Sequence, residues 1–188
     1  MSRIVHIAAA VRRHARPLAA AVAVCALGAG LLGAARTGSA ADGRTVKTEG
    51  GEEFVPNAKI MSNLKFAPGN LTVASGETLT LDHADRTDEP HTLSIVNAGE
   101  VPGDLDAVFS CGEPGTVCDD VFTAFGSEPS SSLFVNGPGT GSGIDGRLDS
   151  LFVLPGDSIS ATVTAPSGST LYFICAIHPW MQGTINVK

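Results

Sequence analysis

Basic residues become scarce past the first forty positions of this 188-residue chain. Five of its twelve Lys and Arg fall within residues 1–40, where no acidic residue occurs, and the remainder carries seven basic against nineteen acidic residues, a net charge of −12. Such a surface repels phosphate backbones, which argues against nucleic acid as a partner and favours basic proteins or cationic surfaces. Helical periodicity is also lacking: beyond residue 57 no convincing apolar pattern of helical spacing extends over ten residues, and no internal repeat is visible. The length suffices for one packed domain and is short for two. Cysteine is sparse, with only Cys25, Cys111, Cys118 and Cys175.

Residues 1–40 have the layout of an export signal. Arg3, Arg12, Arg13 and Arg16 precede an uncharged, Ala-rich run over 17–35, and the small residues Gly38, Ser39 and Ala40 follow it. Cleavage is expected after Ala40 or Ala41, giving a periplasmic, extracellular or cell-surface protein. Retention as a membrane tether is the alternative, disfavoured because Ala and Gly make the run weakly apolar. His14 and Ala15 after Arg12-Arg13 fit a twin-arginine signal poorly, and Cys25 lies mid-run, unsuited to a lipid anchor. With Cys25 removed, three cysteines remain in an oxidising compartment, so one thiol is left for a task other than bridging.

From residue 58 onward, short apolar-alternating segments separated by turn residues indicate an all-β domain over 58–188. The clearest strands are 78–82, 91–96, 158–163, 171–175 and 184–187. Leu79 and Leu81 share one face, and Ile159, Ala161 and Val163 form another buried set, which a two-sheet sandwich accommodates. Residues 41–57, with the Glu49-Gly50-Gly51-Glu52-Glu53 run, read as a flexible tether or at most an added edge strand. Residues 97–147 are rich in Gly, Pro, Ser and Asp and too long for an ordinary connection; a short helix is expected over 119–125 and a strand over 133–135.

The chemistry concentrates in Tyr172-Phe173-Ile174-Cys175-Ala176-Ile177-His178-Pro179-Trp180-Met181-Gln182-Gly183. Cys175 shares a strand face with Leu171 and Phe173, and a turn at Pro179 lets His178 and Met181 approach the same point. His91, on the face of Leu93 and Ile95, is the best fourth member, because an inward imidazole needs a polar partner. Two imidazoles, one thiolate and a distant thioether make a site suited to one copper ion in both oxidation states. Any one of these residues alone would read as core packing; their joint spacing does not. Cys111 and Cys118 enclose a six-residue loop and are expected to form a disulfide, a second metal site being the less favoured reading since no histidine lies within 97–147. His83 is expected to be a solvated loop histidine, and Asp85, Asp88 and Glu89 a solvated rim.

This pattern resembles the cupredoxins, the small blue copper proteins, over residues 64–188 apart from the insertion. Pro90-His91 is similar to the family's first ligand loop, and Cys175 to Met181, with His178-Pro179-Trp180-Met181, to the short loop of amicyanin. The resemblance implies a Greek-key β-sandwich, one-electron transfer, and His178 at an exposed edge where redox partners dock. Ala176, Ile177 and Thr92 depart from the family's usual residues. A soluble electron carrier is therefore the leading expectation, with copper delivery or storage as the alternative. An enzyme is not expected: His83, His91 and His178 are too few to build an additional catalytic copper centre.

Overall fold

The computed structural model describes residues 44–127 and 129–188; the expected export signal, its processing site, the tether alternative and Cys25 lie outside them. Alternating apolar and polar positions build two facing sheets. One runs β10 (Ser158–Thr162), β6 (Thr78–His83), β1 (Arg44–Glu49), β4 (Lys65–Ala67). The other runs β5 (Asn70–Val73), β12 (Gln182–Val187), β11 (Thr170–Ile174), β7 (His91–Val96), β9 (Ser150–Val153), β8 (Leu133–Val135). β1 with β6 and β5 with β12 are parallel, and the other pairs are antiparallel. The chain crosses between the sheets at each step from β4 through β5 and β6 to β7, and again from β9 through β10 to β11, and the fold is the all-β Greek-key sandwich expected. Val46, Leu79 and Leu81 from one sheet meet Leu93, Leu151, Phe173 and Ile185 from the other in a shared core. Val163 is buried with them, but Ile159 and Ala161 are only half-buried, because β10 is the edge of its sheet.

The segment read as a tether or edge strand is neither. β1 lies between β6 and β4, inside its sheet, with Val46 and Thr48 fully buried. Its alternation is only three turns of the pleat long and runs into the polar Glu49–Glu53 stretch, which hid it. A separate hairpin, β2 (Glu52–Val55) with β3 (Lys59–Ser62), then leads into β4.

The described residues of the insertion form helices, a strand and hydrogen-bonded turns. It contains α1 (Leu105–Phe109) and α2 (Val117–Phe125), the latter starting two residues before the expected helix, behind the N-cap Thr116, whose hydroxyl oxygen accepts from the Asp119 amide. Cys111 and Cys118 are disulfide-bonded as expected, and both are buried with Val117, Val121 and Leu148 against Val96 and Ile174 of the larger sheet and Ala176 just beyond it. Arg147 grips Glu100 through Nε and Nη2 at 2.8 Å and also meets Asp120, tying the start, middle and end of the insertion together. Asp149 accepts from the Gly137, Asp145 and Gly146 amides and the Thr140 hydroxyl at 2.7–2.9 Å. The acidic, glycine-rich composition thus supplies turn-closing carboxylates in place of a hydrophobic pattern.

Candidate metal centre

Antiparallel pairing of β7 with β11, with Ile174 opposite Ser94, brings the start of one strand and the end of the other to the same end of the sandwich. His91 opens β7, and Cys175 directly follows β11. β7 is buried along its whole length, by the core on the face of His91, Leu93 and Ile95 and by the insertion on the other. After Cys175 the chain closes on itself: the Cys175 amide donates to the Met181 carbonyl at 2.9 Å, and the Met181 amide to the His178 carbonyl at 2.8 Å. Gly183 ends this loop where nothing larger fits, since a Cβ there would lie 2.0 Å from the Gly69 carbonyl oxygen and 2.3 Å from the Phe173 ring.

Three donor atoms converge. His91 Nδ1 and His178 Nδ1 stand 3.7 and 3.8 Å from Cys175 Sγ and 3.2 Å from each other, and all three residues are buried. Met181 is buried in the same core cluster as Cys175. Thr92, one of the departures noted in the sequence, braces the site: its amide donates to Cys175 Sγ at 3.4 Å, and its hydroxyl oxygen accepts from the Ala176 amide at 2.8 Å.

Burial pushes the Cys175 thiol up, but hydrogen bonds from His178 and His91, with their charge, outweigh it and hold its pKa at about 6 against an ordinary 9.0. Burial pulls His178 down, yet its contacts with the Cys175 sulfur and the Glu89 carboxylate leave it raised above the usual 6.5. A thiolate ready-formed at neutral pH between two inward-facing imidazole nitrogens fits a soft transition-metal ion.

The expected solvated rim is instead a roof over the site. His83 ends β6, is buried, and places Nε2 3.0 Å from the Glu89 carbonyl oxygen. The Asp85 side chain is fully enclosed, with Oδ2 2.8 Å from His91 Nε2. Burial pushes its carboxyl up, but hydrogen bonds from Thr48 and Thr87 and the nearby His91 hold it at about 2 against an ordinary 3.8. Glu89 Oε2 meets His178 Nε2 at 2.7 Å; of the three acids only Asp88 and Glu89 remain exposed. His178 is consequently 3% exposed and not the open edge the resemblance implied. Its neighbour Trp180, with ring centroids 5.3 Å apart, is the exposed side chain there. The roof residues were visible in Asp82-His83-Ala84-Asp85 and Glu89-Pro90-His91, but nothing in their spacing tells an inward carboxylate from an outward one. Alongside, Pro90, Thr92, Phe122, Phe125, Phe152 and Ile177 line an apolar groove of about 480 Å³ between α2 and the ligand loop.

No family model and no curated protein matches this chain. Among solved structures, the chain is similar to cupredoxins. A purple cupredoxin from Nitrosopumilus maritimus is 15% identical with a TM-score of 0.40, covering 77% of this chain and 99% of that one. Reduced auracyanin from Roseiflexus castenholzii is 20% identical with a TM-score of 0.41, covering 77% and 96%. A mutant fern plastocyanin is 25% identical with a TM-score of 0.36, covering 76% and 99%. At these values the chemistry of the site is read from its own side chains.

Proposed function

We propose that this chain is an exported mononuclear blue copper protein that carries single electrons. The observation that supports it best is the convergence of His91 Nδ1, His178 Nδ1 and Cys175 Sγ on one buried point, with Cys175 the thiol outside the Cys111–Cys118 bridge. Among the described residues all three histidines gather here, which favours a carrier over a catalyst. His91, Cys175 and His178 would hold the ion, with Met181 as a weak fourth ligand. Copper bound there would supply a one-electron couple. The protein's part is to keep the ligands from moving: the Thr92 bonds pin the thiolate, and the closed 175–181 loop pins His178 and Met181. A rigid ligand set lowers the rearrangement that a change of charge demands. Electrons leave through the His178 side of the molecule, where Trp180 and the apolar groove offer a contact surface for a partner.

Loading with one equivalent of copper is expected to give an intense visible sulfur-to-copper absorption, and Cys175→Ser is expected to abolish it. Persistence of that band in the variant removes the thiolate from the site. Repeated cycling without loss of metal in the presence of a Cu(I) chelator supports the carrier; prompt stoichiometric transfer of Cu(I) to the chelator supports copper delivery instead.

A further inference from the structure

Both site imidazoles point Nδ1 inward at Cys175 and turn Nε2 outward to a carboxylate of the 85–89 loop. The two carboxylates differ in one respect that decides their weight. The Glu89 side chain is 53% exposed, so water and salt screen its charge. The Asp85 side chain has no exposed surface. Its Oδ1 accepts from the Thr87 amide at 2.8 Å and the Thr87 hydroxyl at 2.6 Å. Its Oδ2 has no hydrogen-bond donor of its own, and neither has His91 Nε2 an acceptor, although the two atoms lie 2.8 Å apart. The two buried polar atoms, neither with another partner, lie within hydrogen-bond distance of each other but out of line for a bond. A small turn of the imidazole or the carboxylate that directs a proton on Nε2 at Oδ2 satisfies both and leaves the Nδ1 lone pair for the site.

We infer that Asp85 is the positioning residue of this centre: its carboxylate keeps the His91 proton on Nε2, so that Nδ1 faces the metal, and places a buried negative charge behind that ligand. The inference rests on the copper reading above and adds a residue to it. An anion fixed behind a ligand stabilises Cu(II) more than Cu(I), because the extra positive charge interacts with it in a poorly screened setting. His83, Asp85 and His91 are close enough together to hold a metal ion of their own. That arrangement is the weaker one, since His83 Nε2 is already 3.0 Å from the Glu89 carbonyl oxygen.

Voltammetry of the copper-loaded protein and ring 15N–1H spectra of the metal-free protein test the inference together. Asp85→Asn is expected to reduce the preference for Cu(II) over Cu(I) at least tenfold, a rise in potential of about 59 mV for one electron. Asp85→Glu, which keeps the charge, is expected to restore most of it. Glu89→Gln is expected to move the potential less, with a shift that vanishes at about 1 M salt, where the Debye length is about 3 Å. In the metal-free wild type the spectra are expected to show a proton on His91 Nε2 that Asp85→Asn retains, through its amide oxygen, and Asp85→Ala loses. An unchanged potential in Asp85→Asn, a bare Nε2 in the wild type, or a second bound metal lost in both Asp85→Asn and His83→Ala overturns the inference. The wild-type ring spectrum decides even where a variant fails to fold. A protein that binds no copper through Cys175 defeats the copper reading, while the same spectrum still judges the bond from Asp85 to His91.

Discussion

Cys175 is an ordinary-looking core residue whose chemistry is set by two neighbours that the sequence places three and eighty-four positions away. Its pKa, lowered to about 6 from 9.0, means that its ionisation stabilises the metal-free fold in full above about pH 9; that contribution falls with pH and is gone below about 6. Thiolate absorbance near 240 nm in the metal-free protein is expected to titrate with a midpoint near 6; a midpoint near 9 would show that His91 and His178 do not hold the sulfur. Under the proposed function Met181 has the opposite part, as a weak ligand that favours the reduced state. Met181→Gln is expected to retain copper and lower the potential, since an amide oxygen favours Cu(II) where a thioether favours Cu(I). Voltammetry and a metal titration of the variant separate the two effects, and loss of copper altogether would make Met181 a principal ligand.

At the scale of elements, β1 and the insertion support the site from opposite sides. The Thr48 hydroxyl of β1 accepts from the Ala84 amide at 3.2 Å, so this strand steadies the roof over His91. The insertion covers the outer face of β7 and β11, with Ile174 and Ala176 on either side of Cys175 packed into its small core. Its disulfide fastens α1 to α2, whereas the ligand loop is held by its own backbone bonds and by Thr92. Replacing both Cys111 and Cys118 with serine is therefore expected to speed amide exchange over 98–125 while leaving the copper absorption in place. A collapse of that absorption would make the insertion part of the site's frame.

The molecule as a whole is strongly acidic, with seven basic against nineteen acidic residues beyond position 40. Several of these acids are engaged internally, as Asp85, Asp149 and the Glu100 and Asp120 pair on Arg147 demonstrate, yet their charge still contributes to the long-range field. Electron exchange with a small cationic oxidant such as hexaammineruthenium is expected to slow several-fold between about 0.01 M and about 0.1 M ionic strength, as the Debye length contracts from about 30 Å to about 10 Å. With anionic ferricyanide the rate is expected to rise. Equal salt dependence for the two would show that the surface near His178 carries no net field.

Strand positions and the inward faces of His91 and Cys175 follow from local alternation, because a residue's side of a pleat is set by its immediate neighbours. The spacing of Cys175, His178 and Met181 is likewise local, since a seven-residue loop between two strands has little freedom to scatter its side chains. Three features depended on the tertiary structure. β1 gains its inner place only through parallel pairing with β6, more than thirty residues away. His178 is covered because the 85–89 loop folds over it, against the exposure its resemblance implied. Asp85 faces inward because Thr87 of its own loop donates twice to Oδ1, while the adjoining Ala84 amide is tied to Thr48 of β1, and these bonds let a carboxylate be buried. Charge in a sequence carries no direction, and whether an acid is rim or roof is decided by how the folded chain places it and which partners it meets there.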